Sequence, residues 1–196
     1  MTSTHTLIRY FQNIVSLSEE ESKAIADSME VRKYPKGTIL LKEGQISREC
    51  YFVLKGCVRS YILHEGTEKI DNFFIEEDWI VALDSFLYQK PSLHYLVCCE
   101  DTELVVGTAS KEQDLYEAHP RFESIARKIM EQSFAQMQTD MRKFYMETPE
   151  MRYKKLIRER PSLIQRVPQY QIASYIGVQP ETLSRMRARM ARNRTL

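Results

Sequence analysis

Between Val31 and about Thr108 the chain carries short β-rich runs, cut at close intervals by Lys36-Gly37, Glu43-Gly44, Lys55-Gly56 and Glu65-Gly66. Runs of that length bounded by glycine turns read as strands. About eight strands at such close spacing argue for an antiparallel sandwich or jelly roll rather than a parallel sheet. Within the segment, "YFVLKGCVRSYIL" reads as the clearest hairpin, two strands about a turn at Lys55-Gly56.

Both flanks have helical period instead. Leu7, Ile8, Phe11, Ile14 and Val15 recur at helix spacing, and Ser18 with Glu21 forms a capping-box signature for a second short helix. After Ser110 the helical period returns, with Phe122, Ile125 and Ile129 in one set and Met130, Phe134, Met137, Met141 and Phe144 in another. The second set is a heptad-like stripe on a helix of roughly 30 residues, and it reads as a dimer seam. Thr148-Pro149-Glu150 supplies standard helix-start chemistry, and the residue before proline is pushed out of the helical region. A hinge is therefore expected at Glu147 or Thr148. The expected fold class is α+β, with a β-roll sensor domain over 1–110, a long dimerisation helix over 111–147 and a mostly helical domain over 148–196.

Net charge divides at the same place. Residues 1–141 hold 15 Lys and Arg against 23 Asp and Glu, a net of −8, and residues 142–196 hold 13 against 4, a net of +9. The basic part suggests a polyanion partner. There is no apolar run of membrane-spanning length and no signal-peptide pattern, so a cytoplasmic location with no membrane partner is the expectation.

The segment "QYQIASYIGVQPETLSRMRARM" combines these trends. Ala173, Gly177 and Leu183 are spaced as a helix-turn-helix requires: a small residue at the crossing, glycine for the turn's positive φ, and a buried residue closing the pair. The second helix starts near Gln179-Pro180-Glu181, so Gln179, Pro180, Glu181, Thr182, Ser184 and Arg185 stand at the end that reaches base edges in a major groove. Arg185 suits a bidentate contact to guanine, and Glu181 suits a cytosine amino group. Tyr170, Lys154, Arg187, Arg189, Arg192 and Arg194 read as phosphate contacts. Only six residues follow Met190, too few for a full β-hairpin wing.

With "PKGTILLKEG", "YFVLKGCVRSYI" and the closing segment together, the chain resembles the cyclic-AMP receptor/fumarate-nitrate regulator (CRP/FNR) superfamily of bacterial transcription factors. Its most specific part, "RVPQYQIASYIGVQPETLSR", looks like the subgroup common in the Bacteroidetes. The resemblance implies an effector-sensing β-roll, a dimerising helix and binding to a palindromic operator in double-stranded DNA, with RNA polymerase as a further partner. It implies no enzyme activity. The family's reading helix carries an Arg, a Glu and an Arg; here Glu181 and Arg185 match, while Pro180 stands at the first Arg position, which should change half-site preference.

The family's nucleotide cassette needs a Gly-Glu pair and an Arg for the cyclic phosphate. Val81-Ala82 falls where Gly-Glu would be, and no Arg lies near Ser92-Leu93. Cyclic AMP in its usual mode therefore does not fit, and no other cofactor is assigned. Trp79, Val81, Ala82, Ser92 and His94, with Gln132, Ser133 and Gln136 on the long helix, are the candidate effector contacts. Ordinary sandwich core and a β-roll without ligand sensing are the alternatives. His94 reads as a hydrogen-bonded core histidine, with haem ligation the lesser alternative. The first cysteine is Cys50, so the N-terminal iron–sulfur cluster of the oxygen-sensing branch is missing. Cys50, Cys57, Cys98 and Cys99 include no C-x-x-C and no zinc spacing; they read as reduced core thiols, with a redox role as the alternative. Four scattered histidines do not make a cupin-type metal site, and neither catalytic residues nor metal ligands are expected. The competing class is a ligand-binding or protein-interaction module with only non-specific DNA binding.

Overall fold

The computed structural model describes residues 3–192. Two helices come first, α1 (Ser3–Gln12) and α2 (Glu19–Ser28). Ser18 opens α2 as its sequence requires: its Oγ accepts from the Glu21 amide and the Glu21 carboxylate accepts from the Ser18 amide.

The strands are β1 (Glu30–Tyr34), β2 (Ile39–Leu41), β3 (Glu49–Lys55), β4 (Val58–His64), β5 (Thr67–Phe74), β6 (Trp79–Ile80), β7 (Tyr95–Cys98) and β8 (Thr102–Thr108). A short helix, α3 (Leu83–Tyr88), lies between β6 and β7. The strands form two antiparallel sheets, ordered β1-β8-β3-β6 and β2-β7-β4-β5. Leu41, Val53, Val58, Ile80, Leu96, Cys98 and Leu104 fill the space between them.

The hairpin expected at Lys55-Gly56 does not form, because β3 and β4 lie in opposite sheets. Gly56 takes a φ of +110°, and a Cβ there would stand 2.6 Å from the Thr102 hydroxyl and 2.7 Å from its Cα. Glycine here carries the chain from one sheet to the other, past the Thr102 backbone. The real hairpin lies one turn later. β4 pairs β5 from Val58 opposite Phe74 to His64 opposite Thr67, about Glu65 and Gly66, both at positive φ.

The C-terminal half is α4 (Ala109–Ala118), α5 (Arg121–Met146), α6 (Pro149–Glu159), α7 (Leu163–Arg166), α8 (Gln169–Tyr175) and α9 (Pro180–Arg192). The long helix is 26 residues rather than about 30, because Pro120 forces His119 out of helical geometry and separates α4 from α5. Phe122, Ile125 and Ile129 on α5 are buried with Leu7, Ile25 and Phe52. The other α5 stripe is bare: Met130, Phe134, Met137, Met141 and Phe144 are between 44% and 59% exposed. No helix among the described residues is long and apolar enough to cross a membrane.

A third apolar cluster joins the two halves. Tyr61, Ile70, Phe73 and Val97, on the outer face of the second sheet, pack with Tyr153, Leu156, Leu163, Val167, Ile172 and Ile176 of the C-terminal helices.

Candidate nucleic-acid interface and sensor pocket

α6 begins where the sequence says it should. Thr148 Oγ1 accepts from the Met151 amide, Pro149 is at the first turn, and Glu147 before it has extended backbone. The corner is also strapped. Arg152 donates to the carbonyls of Phe144 and Glu147, both at 2.9 Å, and to that of Ile176 at 3.0 Å. Its guanidinium lies 4.2 Å from the centre of the Phe144 ring. The expected hinge is thus tied to the turn of the helix pair by one side chain.

α8 and α9 cross as a tight unit. Gly177 takes a φ of +78°, and the Val178 amide donates to the Ala173 carbonyl at 2.9 Å. Ala173, Ile172, Ile176, Leu183 and Met186 are buried between the helices. With Leu183 and Met186 turned inward, helical spacing turns Glu181, Ser184 and Arg185 outward. Gln179, Pro180, Glu181, Ser184, Arg185, Arg187 and Arg189 are all exposed, and Thr182 is half-buried. Arg185 Nη2 donates to Thr182 Oγ1 at 3.4 Å, one turn back on its own helix.

The expected phosphate contacts divide. Tyr170, Arg187 and Arg192 are exposed, and Arg194 lies outside the described residues. Lys154 and Arg189 both bind the Glu150 carboxylate, Lys154 at 2.8 Å. Hydrogen bonds from these two cations, Lys154 first, hold Glu150 below the usual carboxylate range.

Two more basic residues face their own chain. Arg160 donates to the Phe73 carbonyl at 2.7 Å and to Asp78 at 2.8 Å. Arg166 reaches both Glu76 and Glu100. Beside them the Ser174 hydroxyl donates to the Glu68 carbonyl at 2.9 Å and accepts from the Ile70 amide at 3.0 Å, capping the free edge of β5. Part of the opposite-charge pattern is therefore spent on docking the two halves together. These partners are about 65 to 105 residues apart, and no local sequence signal marks them.

In the stretch between β6 and β7, Val81, Ala82 and His94 come together with Leu83, Asp84, Leu87 and Tyr88 around an open cavity of about 400 Å³. The remaining effector candidates are elsewhere. Ser92 is buried beside the cavity, its Oγ accepting from the His94 amide at 3.0 Å. Trp79 packs on Phe52, Tyr10 and Phe11. Gln132, Ser133 and Gln136 lie on the exposed length of α5, where Gln136 donates to Asp140 at 2.7 Å. His94 Nδ1 stands 3.2 Å from Asp71 Oδ2, and that carboxylate raises the histidine above its ordinary value against the opposing effect of burial. Asp84 pairs with Lys90 at 3.4 Å.

The lining holds a carboxylate and no arginine. An anionic cyclic phosphate placed there would lack a charge-matched donor, a costly arrangement, so these residues do not fit that ligand in its usual mode. Among the described residues no group of three His, Cys, Asp or Glu side chains is placed to hold a metal ion.

Residues 31–119 match the family model described as the cyclic nucleotide-binding domain. No curated protein sequence matches the chain. Among solved structures, the chain is similar to the Catabolite Activator Protein of Thermus thermophilus, with a TM-score of 0.55 and 21% identity over 94% of this chain and 87% of that one. It is similar to FixK2 of Bradyrhizobium japonicum, with a TM-score of 0.68 and 18% identity over 84% and 85%. It is similar also to the c-di-GMP-responsive global regulator CLP of Xanthomonas campestris, with a TM-score of 0.67 and 15% identity over 87% and 90%. Residues 31–119 thus match a cyclic nucleotide-binding domain, and together with α5 and the C-terminal helices the chain takes the fold seen in these three proteins.

Proposed function

We propose that the chain is a sequence-specific DNA-binding transcriptional regulator of the CRP/FNR superfamily, of the subgroup its closing segment resembles. It works as a homodimer in the cytoplasm and catalyses no reaction. The observation that carries this reading is the two-sided character of α9. Leu183 and Met186 are sealed against α8, while Glu181, Ser184 and Arg185 stay exposed although the helix pair is docked on the sheet. A helix presented in that way offers its first turns to a major groove.

The bare stripe on α5 supports dimerisation, since five large apolar side chains in heptad-like register match a second copy of the same helix. Two reading helices related by a two-fold axis meet half-sites about one helical turn apart, which makes the operator a palindrome. Contact with RNA polymerase belongs to the same reading. The cavity beside α3 is where a small effector would act. Its lining favours a ligand other than a cyclic nucleotide held by an arginine–phosphate pair.

Selection from random DNA duplexes with purified protein and no added ligand tests the proposal. Enrichment of a palindrome supports it. Steep salt dependence with no enriched sequence, from a protein that is still a dimer, overturns it in favour of a module that binds DNA only non-specifically.

A further inference from the structure

We propose that Cys57 and Cys99 are a peroxide-oxidised dithiol that closes to an intramolecular disulfide and is shielded by the docked C-terminal helices. This stands whether or not α9 reads DNA.

The placement comes from strand register. β4 pairs β7 with Val58 opposite Cys98, so Cys57 is directly opposite Cys99 one step further on. The Cys99 amide donates to the Cys57 carbonyl at 2.7 Å. Residues paired in this way have Cα atoms ~5.5 Å apart, inside the ~4.4–6.8 Å span a disulfide bridges. Both side chains lie in the outer cluster, away from the sandwich interior, close enough for the two thiols to perturb each other. Cys98, the neighbour of Cys99 in sequence, turns into the interior cluster instead.

The pair is chemically uneven. A hydrogen bond from Cys57 lowers Cys99 against the effect of burial, and the Arg59 guanidinium beside Cys99 adds to the lowering. Cys57, the donor, is pushed up. Cys99 is therefore the attacking sulfur and Cys57 the resolving one. The Cys99 thiolate attacks one peroxide oxygen, the O–O bond breaks, and the departing hydroxide takes up the proton that the Cys99 thiol gave up on ionising and leaves as water, giving a sulfenic acid. Cys57 sulfur then attacks Cys99 sulfur. The S–S bond forms, the S–O bond breaks, and the Cys57 proton leaves with the departing oxygen as a second water. The two thiols together give up two electrons, and one hydrogen peroxide takes them.

The shield is the C-terminal half. Cys57 is fully buried and Cys99 is 6% exposed, in the cluster that includes Leu163 and Val167. Glu100, next to Cys99, is held by Arg166 at 2.5 Å. Peroxide reaches the sulfurs when these helices lift, so the oxidation rate reads the lifted population.

The test treats the reduced full chain with hydrogen peroxide and maps thiols by non-reducing mass spectrometry. A Cys57–Cys99 link formed before any change at the more exposed Cys50, and reversed by dithiothreitol, is expected. In Cys57→Ser, a sulfenic acid on Cys99 should be trapped by dimedone. Arg166→Ala and Ser174→Ala, each of which removes a docking bond, should speed the link by about tenfold. The Arg166 charge lowers Cys57, so its loss would by itself slow the resolving attack, and acceleration reports opening. Oxidation of Cys50 first, absence of the link, or an unchanged rate in both docking variants overturns the proposal.

Discussion

Arg166 and Glu76 meet through two parallel hydrogen bonds, Nη1 to Oε2 at 2.8 Å and Nη2 to Oε1 at 2.9 Å. Glu76 also accepts from the Gly56 amide at 2.9 Å, so the arginine grips the loop that sets the crossing between sheets. Only a planar guanidinium makes that fork. Arg166→Ala is expected to cost about 1–2 kcal/mol, the partial exposure of Glu76 trimming the loss, while Arg166→Lys recovers only part of it. Urea melts give the loss, and hydrogen exchange in α8 shows whether docking is what weakened.

Arg185 and Arg189 sit four residues apart on α9 and are expected to behave differently. Arg185→Ala should cost ~1–3 kcal/mol on the selected site and relax one base position. Arg189→Ala should weaken every sequence alike and lower the log–log salt slope by about one. Because Glu150 binds Arg189 and Lys154, Glu150→Gln should steepen the same slope. Titrations at several salt concentrations separate these outcomes.

The α5 stripe gives a test of assembly. Met137 is at the middle of the bare row, so Met137→Glu would bury an unpaired carboxylate against a second copy. Dimer affinity should weaken by at least about a hundredfold, corresponding to ~2.8 kcal/mol. Sedimentation velocity reads it.

His94 carries a pH signature. Asp71 raises it, with Asp84 adding to the effect, so the protonated histidine stabilises the fold below ~6.5 and the gain is lost as pH rises through the raised value. Asp71→Asn should bring the titration of His94 down. Its stability deficit should be largest on the acid side of neutrality, down to where Asp71 itself takes a proton, and should shrink toward pH 8. Histidine NMR titration and melts across that range check both.

Gly56 is the least replaceable glycine. Gly56→Ala meets the Thr102 backbone at a φ alanine rarely adopts, and a loss of at least ~3 kcal/mol is expected. Gly66→Ala, in open space at the true hairpin, should cost only the backbone term, ~1 kcal/mol. Thermal melts rank the two.

Local chemistry was legible where short-range rules decide the outcome. Ser18, Thr148 and Gly177 each do what their neighbours dictate, because caps and turns are settled within four residues. The pairing of β3 was not legible: alternation marks a strand but does not say which sheet it joins, and a glycine turn serves a crossing as well as a hairpin. The exposed face of α9 followed from the spacing of Leu183 and Met186. The partners of Arg152, Arg160 and Arg166 did not, since each bonds to chain brought near only by the tertiary fold. Net charge grouped these three with the residues facing outward, although they hold the helices in place.

The apolar cluster shared by the sheet and the C-terminal helices bears on how interchangeable the two halves are. Phe73, Tyr61 and Val97 complete the packing around Leu163 and Ile172. A chimera that joined residues 148–196 to a different β domain would inherit α9 but not the platform beneath it. Keeping it folded would require transplanting the outer face of the second sheet as well, with Asp78, Glu76 and Glu100 in place. For this protein the unit of exchange is therefore the outer face of the second sheet and the C-terminal helices together.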